Sequence, residues 1–303
     1  MRFVTRSGGV FATDLDYRVI ERSDREYPSM LEHLPDPPER LWVAGRELSS
    51  LPPCVAVVGT RTPNHYGQEI ALGLSSDLAS AGICVVSGLA RGIDGIAHEG
   101  ALVNGITLAV LPGGIDRAYP SSNRDLYEQI ADEGVLVSEV PPGTATHKRR
   151  FTHRNRIIAA LSLATVVVQA GEPSGALATA NHAATIGREV FAVPGDVRVD
   201  VSAGVHQLLR DGAGVCTCAG DVLERIAPEL ERAIAARTLA PLPVEMDANE
   251  ATILGLLGGE GMTLGSIAAA TGLGASALAV AVTTLEFDGW VARGPGALIR
   301  RVR

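Results

Sequence analysis

The run Val55-Ala56-Val57-Val58-Gly59-Thr60-Arg61 decides the fold. Four apolar residues without alternation describe a strand buried on both faces, and the small residues that end it describe a tight turn into a helix. In the next segment Ile70, Leu74, Leu78 and Ala81 recur at helical spacing, and Gly82 supplies a left-handed stop. The unit then repeats. I-C-V-V-S-G (83–88) is a second strand, followed by a helix carrying Ile93, Ile96, Ala97 and Ala101 that closes at Asn104-Gly105. T-L-A-V-L-P-G-G (107–114) is a third strand, and Ser122 with Asp125 predicts a capping box for a helix bearing Leu126 and Ile130. V-L-V-S-E (135–139), T-V-V-V-Q-A (165–170) and E-V-F-A-V-P-G (189–195) add three strands, and A-G-V-C (213–216) a short edge. Strands alternating with amphipathic helices predict an α/β fold: a doubly wound, mostly parallel sheet with right-handed crossovers.

Outward from this block the pattern weakens. Residues 1–50 are broken by Pro28, Pro35, Pro37 and Pro38 and read as a short helical lead-in with an extended L-W-V-A ending at Gly45. The α/β domain is expected over residues 51–228. Residues 229–244 lose the strand pattern and end in two spaced prolines, which predicts a linker. Residues 245–303 show three helical patterns, carrying Ile253, Leu256 and Leu257, then Ile267, then Leu278, Val282 and Leu285. Asp288-Gly289 and Gly294-Pro295-Gly296 then bracket W-V-A-R, the outline of a small winged helix.

The formal net charge is -8, yet T-A-T-H-K-R-R-F-T-H-R-N-R-I-I-A-A (144–160) gathers Lys148, Arg149, Arg150, Arg154 and Arg156 without an acidic residue. Lys148 is the chain's only lysine. A local reversal of sign is a footprint for polyanions, and the overall acidity confines any nucleic-acid binding to a patch. Phe151 offers a stacking surface and Asn155 amide donors, while Ile157, Ile158 and Leu161 turn the same segment apolar. One face is expected to pack and the other to present charge; a merely solvated charged face is the competing reading. No apolar run reaches the ~18 residues of a membrane span, and the start has no apolar stretch long enough for a signal peptide. A cytoplasmic protein is expected. Cys54 and Cys84 sit in or beside strand patterns, and Cys216 with Cys218 lacks a His or further Cys to complete a metal tetrahedron, so no metal is expected.

In an open α/β sheet, ligands bind beyond the carboxyl ends of the strands. Gly59-Thr60-Arg61, Ser87-Gly88, Pro112-Gly113-Gly114 and Ser174-Gly175 occupy those positions. Exposed N–H groups there, with the positive end of a helix dipole behind, suit phosphate oxygens. The first turn lacks G-x-G-x-x-G, which argues against NAD, and a P-loop is absent. Glu139 is the carboxylate nearest the expected phosphate site, and a structural role suits it better than catalysis. Asp94 and His98 lie one helical turn apart; a hydrogen bond that orients the helix is the commoner outcome for such a pair, and no G-x-S-x-G elbow supports a triad.

The motifs V-A-V-V-G-T-R, S-G-L-A-R-G-I-D-G-I-A-H, Y-P-S-S-N-R-D-L, L-V-S-E-V-P-P-G, F-T-H-R-N-R-I-I-A-A-L-S, S-G-A-L-A-T-A, G-R-E-V-F-A-V-P-G and D-G-A-G-V resemble the DprA (DNA-processing protein A, or Smf) family, in the family's order over roughly residues 27–226. The resemblance implies an extended Rossmann fold, often with a carboxyl-terminal winged helix. It implies a homodimer that binds single-stranded DNA and loads the RecA recombinase during natural transformation, displacing single-strand-binding protein, without catalysis or cofactor. By position, Arg61 and Lys148 match the family's phosphate contacts, Phe151 opens its F-x-x-R-N-R block, and Gly59, Thr60, Ser174 and Gly175 fall in its small-residue loops. Four departures stand out: Thr60 for serine, P-G-G for G-x-G at 112–114, Gln169 for glutamate and Ala176 for serine. The residues before Tyr27 are too few for the family's helical SAM-like domain.

The expected DNA-binding set is therefore Gly59, Thr60, Arg61, Ser87, Gly88, Gly113, Gly114, Lys148, Arg149, Arg150, Phe151, Arg154, Asn155, Arg156, Ser174 and Gly175. A basic cleft with an aromatic ring suits single strands. The third helix of the winged domain, A-S-A-L-A-V-A-V-T-T-L-E-F-D, has no Lys or Arg, which disfavours duplex reading and favours protein contact or capping; Arg293, Arg300 and Arg301 keep duplex contact by the wing open. The rival readings are a nucleotide-binding or phosphoribohydrolase enzyme on a related fold, and a transcription-type regulator.

Overall fold

The computed structural model describes residues 3–6, 9–12, 15–238, 247–257, 261–287, 290–293 and 298–301. The chain divides into two compact units, 1–230 and 231–303. In chain order the first unit comprises β1 (Phe3–Arg6), β2 (Gly9–Ala12), β3 (Arg18–Glu21), β4 (Arg40–Gly45), β5 (Cys54–Val58), α1 (His65–Ser80), β6 (Cys84–Ser87), α2 (Ile93–Asn104), β7 (Thr107–Leu111) and β8 (Arg117–Ala118). It continues with α3 (Arg124–Glu133), β9 (Val135–Ser138), α4 (Lys148–Ala160), β10 (Ala164–Val167), α5 (Gly175–Thr185), β11 (Glu189–Ala192), α6 (Ala203–Arg210), β12 (Gly214–Val215) and α7 (Ala219–Thr238).

Nine strands form one sheet in the order β12-β11-β10-β5-β6-β7-β9-β4-β3, parallel from β12 to β9. The chain runs outward from β5 through β6, β7 and β9, then returns to β10 on the other side of β5. That reversal makes the carboxyl ends of β5 and β10 the switch point where a crevice opens. The unbroken apolar run of β5 serves two layers. Val55 and Val57 enter one core with Ala71, Leu74 and Leu78 of α1 and Ile93 and Ala97 of α2. Ala56 and Val58 enter the other, with Ile157 and Ile158 of α4 and Ala176 and Ala180 of α5. Each fully buried valine, leucine or isoleucine among these stabilises the fold by about 1.5–3 kcal/mol.

Three local expectations are corrected. The lead-in is mainly strand, its helical part limited to short 3-10 turns at Ser29–His33 and Leu48–Ser50: β3 pairs β4 antiparallel and β4 pairs β9 antiparallel, so these strands extend the main sheet. The prolines shape the connection between them, and Leu41 and Val43 are buried on β4. The expected linker 229–244 is helical as far as Thr238 as the end of α7, with Pro228 inside it; residues 239–246 lie outside the described residues. The capping box at Ser122 and Asp125 does not form. A 3-10 turn at Ser121–Asn123 precedes α3, Asn123 makes no side-chain cap, and its amide reaches elsewhere. An antiparallel hairpin β1/β2, which the sequence reading did not foresee, joins β8 in a separate three-stranded sheet.

The second unit holds α8 (Ala248–Leu256), β13 (Met262–Thr263), α9 (Leu264–Thr271), α10 (Ala275–Phe287), β14 (Val291–Arg293) and β15 (Leu298–Arg301). β15 pairs both β13 and β14 antiparallel. Ile253, Ile267, Leu278, Val282, Leu285 and Ile299 form its core. This is a winged helix with one more short strand than expected. The turns expected at Asp288-Gly289 and Gly294-Pro295-Gly296 lie outside the described residues.

Candidate nucleic-acid interface

The basic segment becomes the first turns of α4, and α4 sorts its charges by depth. Lys148 and Arg149 are exposed, and Arg150 is half-buried with its Nε 3.0 Å from His147 Nε2. Among the described residues no carboxylate forms an ion pair with Lys148, Arg149, Arg150 or Arg61. Phe151 is half-buried. The Arg61 guanidinium, just past β5, lies 5.0 Å from the centroid of the Phe151 ring. This cation–π contact brings the loop after β5 and the amino-terminal turn of α4 together, although the sequence separates them widely. Tyr119 meets Phe151 edge to face, with centroids 5.3 Å apart and rings at 60°.

Further along α4 the expectation of presented charge is corrected. Arg154, Asn155 and Arg156 are 5%, 7% and 7% exposed. Arg154 donates from Nη1 to the carbonyls of Gly88 and Val110, and from Nε to Asn155 Oδ1 at 3.2 Å. Asn155 Nδ2 donates to Gly175 O at 3.0 Å. Arg156 pairs with Glu139 through Nη2, and His153 Nε2 stands 3.4 Å from the same carboxylate. These side chains tie the loops after β6 and β9, the end of β7 and the start of α5 to one helix. Glu139 has the structural place expected of it.

The loop after β6 is the most constrained. Ser87 is buried and its Oγ donates to Val57 O at 2.7 Å. Gly88 leaves no room for a side chain, because a Cβ there would lie 2.2 Å from Arg154 Nη2. Leu89 adopts φ 55°, a left-handed conformation costly for a branched side chain. Three contacts hold it there: Asn123 Nδ2 donates to the Leu89 carbonyl at 3.2 Å, Leu89 N donates to His98 Nε2 at 3.3 Å, and the Leu89 side chain is fully buried. Thr107 Oγ1 donates to Val85 O at 2.7 Å, so it accepts from His98 Nδ1 at 2.6 Å. Both nitrogens of a neutral imidazole are thereby used, and burial holds the His98 pKa down at about 3. Buried Asp94 accepts from the Gly88 and Ala90 N–H groups and faces Arg154; burial raises its pKa. Asp94 and His98 are not an acid/base pair.

The other loops are partly closed. Thr60 N–H donates to Gln169 O at 2.7 Å, and Thr60 O accepts from Ile93 N at 3.1 Å. Gly59 packs against Ile93. Gln169, at a position where the resemblance leads one to expect glutamate, donates from Nε2 to Asn64 Oδ1 at 2.8 Å, and Asn64 caps α1 through Gly67 N. Gly113 and Gly114 are buried beneath residues 141–146, with Gly114 N–H spent on Thr144 O at 3.0 Å, so they offer no open cradle. Ser174 caps α5 through Ala176 N at 3.2 Å, and Gly175 is exposed. Gly59, Thr60, Arg61, Lys148, Arg149, Arg150, Phe151, Ser174 and Gly175 thus reach solvent at least in part, whereas Ser87, Gly88, Gly113, Gly114, Arg154, Asn155 and Arg156 are buried and shape the loops around them. The expected binding set did not include Tyr119, Asn123 or exposed Arg91, although Tyr119 and Asn123 lie in the Y-P-S-S-N-R-D-L motif.

The first unit is thus a doubly wound α/β domain with a basic and aromatic mouth at its switch point, and the second is a winged helix. The chain belongs to the DNA recombination-mediator protein A family, whose profile matches residues 18–227, and a DprA winged helix domain matches residues 235–297. A DNA processing protein DprA of Mycobacterium tuberculosis is 44% identical over 237 residues, 77% of this chain and 61% of that protein. The chain therefore aligns with less than two thirds of that relative's length. Protein Smf of Escherichia coli is 35% identical over 298 residues, 94% of this chain and 78% of that protein. Two solved structures are similar: DNA processing protein A from Streptococcus pneumoniae (TM-score 0.66, 37% identity, 69% of this chain and 74% of that one) and from Helicobacter pylori (TM-score 0.65, 30% identity, 71% and 98%). The Helicobacter structure concerns that protein's single-stranded DNA binding mode.

Proposed function

We propose that this protein binds single-stranded DNA without regard to sequence and acts as a recombination mediator, loading RecA onto incoming strands. The observation that carries the reading is the stack of Arg61 on Phe151, on the helix that also carries Lys148 and Arg149; among the described residues these cations form no ion pair with a carboxylate, in a chain of net charge -8. Cations track a phosphate backbone, and a ring takes a base by its face whatever its identity. Family membership and the Helicobacter relative's binding mode support the same substrate. Contact with RecA, displacement of single-strand-binding protein, a homodimer and a cytoplasmic location belong to the proposal through the resemblance.

The reading includes no catalysis. The three groups that the sequence offered as acid or base are occupied: His98 by two hydrogen bonds, Asp94 by backbone N–H groups, Glu139 by Arg156. That disfavours the phosphoribohydrolase alternative. The test is binding of single-stranded and duplex oligonucleotides of equal length at two salt concentrations. Tighter binding of the single strand, with affinity falling as salt rises, is expected; equal binding of both forms overturns the proposal.

A further inference from the structure

Tyr119 is displayed rather than packed. Its ring is 40% exposed while its neighbour Ala118 is 3% exposed and Pro120 is buried, so the backbone is anchored and the ring is held out. Tyr27, Tyr66 and Tyr127 each donate a hydroxyl hydrogen bond to a backbone carbonyl. Among the described residues no hydrogen bond of that kind involves Tyr119. The ring stands 5.3 Å from Phe151 at 60°, so the two rings make a corner. Arg61 already lies over one face of Phe151. The phenylalanine alone therefore offers less free π surface than its exposure suggests, and among the described residues no cation covers Tyr119.

We infer that Tyr119 is a base-stacking wall of the strand-binding cleft, taking the base of a nucleotide whose phosphate is held at Arg61. This rests on the proposed single-strand binding and deepens it. A flat base laid against the Tyr119 ring brings its edge to Phe151, a geometry open to all four bases because each has a π face. In this arrangement Arg61 and Lys148 supply the salt-dependent part of the affinity, and Tyr119 supplies a part that salt does not touch.

The test compares wild type with Tyr119→Ala and Tyr119→Phe on fluorescent oligothymidylate and on an abasic strand with the same number of phosphates, at several salt concentrations. Tyr119→Ala is expected to weaken oligothymidylate binding about tenfold or more, with the wild-type salt slope and with abasic affinity unchanged. Tyr119→Phe is expected to bind within about twofold of wild type, since the π face remains. Should Tyr119→Ala not fold, Tyr119→Leu, which keeps bulk and loses the π face, carries the same expectations. Wild-type affinity for oligothymidylate in the variant, or an equal loss on the abasic strand, overturns the inference while leaving single-strand binding intact. A wild-type protein that does not prefer single strands removes both.

Discussion

His98 shows how one buried side chain ties the binding loop to stability. Its ring holds Leu89 N–H on one side and Thr107 Oγ1 on the other, and burial depresses its pKa to about 3. In the unfolded chain a histidine takes its proton near pH 6.5. Between those values the unfolded state binds a proton that the folded state refuses. The stabilisation is therefore complete above about pH 6.5 and is lost as pH falls towards 3, by at most ~1.4 kcal/mol per pH unit. Asp94, whose pKa is raised, works in the opposite direction and is shared by any His98 variant. His98→Gln should be less stable at pH 7 by about 1–3 kcal/mol. Its urea-unfolding free energy should nevertheless approach wild type as pH is lowered; parallel curves would contradict the assignment. The i,i+4 spacing of Asp94 and His98 made an acid/base pair conceivable in the sequence, but the partners of His98 come from β7 and the loop between β6 and α2, beyond the reach of local spacing.

Among the elements, α4 was the most legible and the most misread. Its basic start and apolar end announced a helix with two kinds of surface, and Ile157 and Ile158 are fully buried as that pattern implies. The sequence pattern did not show that Arg154, Asn155 and Arg156 lie on the packed side. Their charge suggested solvent, yet carbonyls freed at the ends of β6 and β7 demand donors, and a buried arginine fork supplies them. The consequence is a division of labour along one helix. Arg61→Ala and Lys148→Ala should each lower the slope of log K against log salt by about 0.7, the value for one phosphate contact on a single strand. Titration of a labelled single strand across salt concentrations measures it, and an unaltered slope in both variants would remove their role. β3 escaped the reading, and the extended stretch that is β4 was not seen as part of the sheet, for a related reason: in a proline-broken stretch the pairing comes from β9, far along the chain. At Ser122, a short 3-10 turn displaced the expected cap, and Asn123 spends its amide on the carbonyls of Leu89 and Ala90 instead.

At the scale of the whole molecule the two units suggest separable tasks. The basic and aromatic mouth lies entirely within residues 1–230, whereas α10 carries no basic residue and exposes Val280. A protein ending at Thr238, which keeps α7 whole, should bind single-stranded DNA within about threefold of the full chain, a difference below ~1 kcal/mol. Fluorescence anisotropy decides it, and a loss of tenfold or more would assign the winged helix to the strand. Local pattern was enough to show the alternating strand and helix core that begins at β5, the doubly wound class, the winged helix and the address of the basic cluster. These are written in local periodicity and charge, which survive without a fold. Packing in three dimensions set which cations meet solvent, that Arg61 lies on Phe151, that Tyr119 stands beside them, and that Gly113 and Gly114 are roofed over. Each of those depends on side chains brought together by the return of the chain across β5, and no short-range pattern encodes which way a side chain turns when that happens.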